Sequence, residues 1–241
     1  MDRLVENPAE QFRFFEAFTR DRWVKARAGE LPSGSRVLDA GAGASKYRPY
    51  FGHCRYQTQD FCQYEGELVK YREPIDYVCD ITRIPEPDGT FDAILCTEVL
   101  EHVPDPVLVL REFSRLVRPG GRLWLTAPLI SAIHMAPYHY FGGLTGHWYR
   151  HWLPKHRFNI ESITPVGGPG RSCAVYAEVF CAEWSKAEKR ASLAQRFVSV
   201  PFRLAAKAVS NGLLRNILPR MDAWLGAETV CSGYLVAAVR E

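Results

Sequence analysis

Hydrophobic and polar positions change period several times along this chain, and each change marks an element. Arg36-Val37-Leu38-Asp39-Ala40-Gly41 is a short apolar run closed by an acid and a glycine, which predicts a buried strand entering a loop. Tyr56–Asp60 and Ile75–Cys79 predict two more short strands, and Phe91–Thr97 and Arg122–Thr126 two further apolar ones. Asp105–Val117 places Val107, Leu110, Phe113, Leu116 and Val117 on one face of a helix. Pro119-Gly120-Gly121 then stops it, because proline cannot continue a helix and glycine tolerates the left-handed turn. Thr145–His156 predicts another helix, Asn159–Val166 a strand and Val230–Val239 a last strand.

Strands that alternate with helices predict an α/β fold with a doubly wound, mostly parallel, seven-stranded sheet covered on both faces. The expected layout is a single domain over 1–241. Residues 1–31 form an aromatic helix or lid, with Phe12, Phe14, Phe15, Phe18 and Trp23 after Pro8. Residues 32–128 form the core and 129–168 a segment leaving the sheet. A helical insertion follows over 174–225, then the final strand over 230–240, for which an antiparallel setting is compatible with so late an excursion.

Composition narrows the class. The chain has 241 residues, 47% hydrophobic and 24% charged, as expected of a soluble globular protein. A net charge of +3 is too mild to imply nucleic-acid binding. The 7 cysteines are scattered with no C-x-x-C pair, so reduced thiols are expected rather than a zinc or disulfide framework, and no metal site. No apolar leader and no run long enough to cross a bilayer is visible, which makes the cytoplasm the expected location.

The chemistry begins at Val37-Leu38-Asp39-Ala40-Gly41-Ala42-Gly43, where a glycine turn lets backbone approach a ligand closely. About 20 residues on, Asp60 ends the next strand, where a carboxylate can accept both hydroxyls of a ribose. Together these point to an adenosine-containing cofactor. A dinucleotide fingerprint needs a third glycine, and Lys46 stands in that position. Asp39, just before the first glycine, suits a cationic amino group or sulfonium better than a pyrophosphate.

With these residues in place, 36–128 resembles the class I S-adenosylmethionine (SAM)-dependent methyltransferases of the methyltransferase-11 type. The matching stretches are VLDAGAG, the acid of YQTQD, CDITRIPEPDGTFDAILCTEVLEHVPDP and REFSRLVRPGGRLWLTAPL. The resemblance implies that SAM is the cofactor and that Asp39, Ala40, Gly41 and Gly43 hold its methionine end. It gives Asp60 the ribose and places Asp80 with Ile81 beside the adenine. Thr97, Glu98 and His102 then line the methionine moiety and the mouth of the acceptor site. Downstream, His134, Pro137, Tyr138 and Thr145 match a subgroup associated with cell-surface glycans or small metabolites. That subgroup's Asp and Arg are replaced here by His139 and Gly142.

The resemblance makes O-methylation of a small molecule or glycan the expected reaction. Methyl transfer from a sulfonium needs alignment and exclusion of water, and a hydroxyl acceptor also needs its proton taken. His134 or His139 is the expected base, with His102 nearby and Tyr138 positioning the acceptor. A second clue lies in 186–220, where 8 Lys or Arg face one acid, Glu188. Such a basic amphipathic segment can lie on an anionic membrane, making the protein membrane-peripheral, or dock on its own domain or a second subunit as a homodimer. The competing readings are an NAD-dependent oxidoreductase or epimerase, which Lys46 disfavours, and a methyltransferase-like scaffold without catalysis.

Overall fold

A computed structural model describes residues 15–71, 73–227 and 229–241. The chain forms two compact units: Met1–Thr164 with Gly233–Glu241, and Pro165–Ser232. Within the expected aromatic helix, α1 spans Phe15–Gly29; Pro8, Phe12 and Phe14 lie outside the described residues.

The strands are β1 (Arg36–Ala40), β2 (Arg55–Asp60), β3 (Tyr77–Val78), β4 (Phe91–Thr97), β5 (Val117–Pro128), β6 (Phe158–Val166) and β7 (Gly233–Arg240). They form one sheet in the order β3-β2-β1-β4-β5-β7-β6. Strands β1 to β5 pair in parallel, and β7 runs antiparallel to β5. The doubly wound, mostly parallel seven-stranded sheet is therefore present.

Side chains alternate along the central strands, as the two-residue period of a strand requires. Ile94, Cys96, Leu123, Leu125, Val236 and Ala238 point to one face. There they meet Val109, Leu110, Phe113 and Leu116 of α2 (Pro106–Leu116) and Tyr149 and Leu153 of α3 (Gly146–Lys155). Ala93, Leu95, Trp124 and Ala237 point to the other face, against Val24 and Ala28 of α1 and Phe51. Asp105 caps α2, accepting from Val107 N at 3.1 Å, and Thr145 caps α3, accepting from Trp148 N at 3.2 Å.

The Pro119-Gly120-Gly121 turn does not end α2. The helix already stops at Leu116, and Val117 pairs with Phe91 as the first residue of β5. Residues 118–121 instead loop out, so that the next pair is Ala93 with Arg122. Pairing with β4 thus captures Val117 two residues before the proline.

The second unit contains α4 (Pro169–Arg190), α5 (Leu193–Val209), a π-helical turn (Ser210–Leu214) and α6 (Arg215–Leu225). Helix begins here at Pro169, ahead of position 174, because proline at the first helical position needs no N–H partner.

Candidate active site

The loops after β1 to β5 enclose a cleft of about 310 Å³ at the carboxyl end of the sheet, where open α/β sheets bind their ligands. Gly41 and Gly43 enter it from β1, Asp60 and Phe61 from β2, and Asp80 and Ile81 from β3. Glu98, Val99 and His102 come from β4, and Met135, Tyr138 and Tyr140 from beyond β5. Five successive strand ends therefore supply one pocket.

The glycine loop is tied to β2. Gly41 N and Ala42 N donate to Gln59 O at 2.8 and 2.9 Å. Gly41 has φ +73°, and a Cβ there would lie 2.3 Å from Val99 Cγ2, so conformation and space both require glycine. Gly43 N donates to Asp60 Oδ2 at 2.9 Å. Asp60 Oδ1 accepts from Cys62 N at 3.0 Å and from the Tyr71 hydroxyl at 2.9 Å. Asp80 Oδ1 accepts from Thr82 N at 2.8 Å and its hydroxyl at 2.7 Å, which fixes an exposed carboxylate on the cleft wall. Glu98 has φ +54°, a left-handed setting that is uncommon for a side-chain-bearing residue. It is held by Thr126, whose O accepts from Glu98 N at 2.9 Å and whose hydroxyl donates to Glu98 Oε1 at 2.7 Å.

Three of the expected cofactor residues stand behind the cleft wall. Asp39 is buried and accepts the Tyr56 hydroxyl, and Ala40 is buried in the core. Burial pushes Asp39 up to about 7, against the Tyr56 hydrogen bond and the Lys46 charge. Thr97 is half-buried. Asp60 and Asp80 thus share the cleft, and Asp39 lies beneath its glycine loop.

The histidines sort themselves likewise. His102 and Tyr138 line the cleft; His134 and His139 do not. His134 and His139 pack edge-on against His102, with ring centroids 4.6 and 5.5 Å away. His102 Nδ1 lies against Tyr138 O and His134 Nδ1 against Ala132 O at 2.9 Å, which assigns both protons to Nδ1 and leaves each Nε2 an acceptor. His139 Nδ1 lies between His134 N at 3.0 Å and His134 O at 3.2 Å, and its Nε2 lies 3.3 Å from the Ser131 hydroxyl. One ring nitrogen from each of the three histidines lies within 4.8 Å of the others, so the cluster could hold a metal ion that the sequence did not signal. Burial holds His102 below the ordinary histidine value, opposed by the Tyr138 carbonyl and reinforced by His134 and His139. Tyr138 in turn packs edge-on against Phe61, with ring centroids 5.0 Å apart.

Several contributors lay beyond sequence reasoning. Arg20 of α1 pairs with Glu98 at 3.1 Å and donates to the Tyr47 hydroxyl at 3.2 Å, while Asp21 pairs with Lys46 at 2.8 Å. Helix α1 is thereby clamped over the glycine loop. Glu101 is buried beside His102, and burial followed by repulsion from Glu98 pushes it up to about 8. The signal for Glu101 was its place in Glu98-Val99-Leu100-Glu101-His102; Tyr71 and Met135 carried none.

The donors fit S-adenosylmethionine. Asp60, Asp80 and Glu98 put three carboxylates on the cleft, and among the described residues its lining holds no Lys or Arg, Arg20 reaching Glu98 from behind the wall. Such a wall favours hydroxyls, an amine and a sulfonium, and repels a pyrophosphate. Residues 38–125, from β1 into β5, match the family described as "Methyltransferase domain". Ubiquinone biosynthesis O-methyltransferase of Xanthomonas axonopodis pv. citri is 36% identical over 119 residues, 44% of this chain and 48% of that protein. The Pseudomonas aeruginosa protein of the same name (strain LESB58) is 35% identical over 120 residues, 44% of this chain and 49% of its own. The chain thus spans about half the length of these curated relatives. Among solved structures, geranyl diphosphate C-methyltransferase from Streptomyces coelicolor superposes with TM-score 0.57 at 14% identity, covering 100% of this chain and 90% of that one. The cyclase SpnF superposes with TM-score 0.56 at 18% identity, covering 91% and 81%. At such identities the likeness is one of fold.

Proposed function

We propose that the protein transfers the SAM methyl group to a hydroxyl oxygen of a largely apolar small molecule, with His102 taking the hydroxyl proton. The observation that carries this reading is the set of three carboxylates, Asp60, Asp80 and Glu98, on a cleft whose described lining holds no Lys or Arg, Arg20 meeting Glu98 from behind it. SAM supplies an activated methyl; as the oxygen–carbon bond forms, the carbon–sulfur bond breaks and its electron pair stays on sulfur.

The chain's own groups then have distinct tasks. Asp60, held by the Gly43 N–H, would accept the ribose hydroxyls, and Asp80 with Ile81 would receive the adenine. Gly41 keeps the loop narrow, and Asp39, Ala40 and Thr97 support it from beneath. Glu98, whose Oε1 is held by Arg20 and Thr126, would meet the methionine end. His102 presents Nε2 as a proton acceptor, while His134 and His139 brace it from behind and act through it. Tyr138 would orient the acceptor. Phe61, Val103, Met135 and Tyr138 make that region apolar, which favours a phenol or similar molecule over a glycan. The names of the matched relatives, O-methyltransferases, support oxygen as the acceptor atom.

Thermal shift with SAM, S-adenosylhomocysteine (SAH) and NAD tests the cofactor. A ligand at 100 times its Kd stabilises by about 2.7 kcal/mol, which is readily detected. Stabilisation by NAD alone would overturn the reading. Labelled SAM offered with phenols, aliphatic alcohols and sugars then tests the acceptor, with label expected on phenols; label on sugars alone would favour the glycan.

A further inference from the structure

Helix α5 is built the wrong way round for a helix of a soluble protein. Its polar edge is turned inward: Ser199 Oγ donates to Glu188 Oε1 at 2.8 Å and Arg203 Nε to Glu188 Oε2 at 2.6 Å, both against α4. Its apolar side chains face out. Leu193 and Phe197 are each 85% exposed, Phe202 68% and Val198 62%, with Leu204 and Val209 also exposed. None of its 17 residues is buried. At 100° per residue these six apolar positions fill an arc of about 180°, opposite Ser199 and Arg203.

From this inverted helix and its surrounding charge we propose that α5 docks on an anionic lipid surface, lying in the interface with its Leu193–Val209 apolar arc inserted. The charge selects the occupant. Residues 186–220 carry 8 Lys or Arg against Glu188, and Glu188 is already engaged by Arg203. Arg196 and Lys207 are exposed and lie beyond one edge of the apolar arc, which pairs insertion with attraction to anionic headgroups along that side. A second copy of this chain would bring a like-charged surface against it, so self-association is the less favourable cover. Among the described residues no helix is long and apolar enough to cross a membrane, in keeping with a helix that lies along the surface. The proposal is independent of methyl transfer.

Cosedimentation of the full chain tests it, with vesicles of phosphatidylcholine alone and of phosphatidylcholine mixed with phosphatidylglycerol. Binding to the mixed vesicles is expected, weaker on the neutral ones and falling with salt. Phe197→Ser with Phe202→Ser should lose about ten-fold in partitioning, and Lys207→Glu should lose several-fold together with much of the salt dependence. Thermal melts and SAH-induced shifts should stay as in the parent, because these side chains are exposed. The proposal falls if neither vesicle is bound, or if the double variant binds as well as the parent. It also falls if sedimentation velocity shows a dimer in place of vesicle binding.

Discussion

Tyr71 donates its hydroxyl to Asp60 Oδ1 at 2.9 Å, on the carboxylate that the proposed function gives to the cofactor ribose. Gly43 N and Cys62 N also donate to this carboxylate, so three of its roughly four acceptor positions are filled. Two ribose hydroxyls must displace a donor, and the Tyr71 side chain can leave without moving backbone. Tyr71→Phe should therefore bind SAH as tightly as the parent, or a few-fold more tightly. Asp60→Ala should lose roughly 10- to 100-fold, the scale of one to two charge-assisted hydrogen bonds. Calorimetric titration measures both; a ten-fold loss in Tyr71→Phe would show that Tyr71 is part of the wall.

Gly41 is the residue least open to substitution. Alanine there combines a positive φ, which costs about 1–2 kcal/mol, with a Cβ 2.3 Å from Val99 Cγ2. Gly41→Ala should lower stability by about 2–4 kcal/mol in urea unfolding, with an unchanged denaturant slope. Adding Val99→Ala should restore the part due to the clash and leave the φ cost. No recovery at all would mean the loop is constrained by conformation alone.

These two residues show which parts of the site were legible in the sequence. Gly41, Gly43 and Asp60 stand at the ends of predicted strands, where period and spacing locate them, Asp80 came from the family resemblance, and β4 coincides with the Phe91–Thr97 run. The run Ile75–Cys79 shortens to Tyr77–Val78 because only Gln59 and Asp60 extend far enough along β2 to pair with it. The histidines were not separable in the same way. Which one meets the cleft depends on how the chain after β5 folds back, where Tyr140 N and Phe141 N donate to Glu101 O at 2.9 and 3.2 Å. That contact has no periodic signature. The exposure of α5 was equally hidden, because an amphipathic pattern records two faces without saying which is turned inward.

Two buried acids set the pH dependence of stability. Asp39 is pushed up to about 7 and Glu101 to about 8, in each case chiefly by burial. Between the unfolded carboxylate range and these values, the native state binds more protons than the unfolded one. Their contribution therefore favours the fold at low pH and is lost as pH rises toward 7 and 8. Melting midpoints should fall from about pH 5 to about pH 8. Asp39→Asn and Glu101→Gln should each flatten part of that slope, and an unchanged slope in both would mean other groups control it.

The proton acceptor is tested by the acid limb of the pH–rate profile. Burial, together with His134 and His139, holds His102 below its ordinary 6.5 despite the opposing Tyr138 carbonyl. Turnover should therefore rise through a midpoint below that value and be near its plateau at neutral pH. His102→Ala should lower kcat by about 10²- to 10⁴-fold while leaving SAH affinity close to the parent's. His134→Ala removes one of the neighbours that depress His102, so its acid limb should move to higher pH as activity is retained. A purely structural role for His134 would lower the rate without moving that midpoint. Full turnover in His102→Ala would show that the acceptor hydroxyl loses its proton to solvent, leaving the cleft to align the two reactants and nothing more.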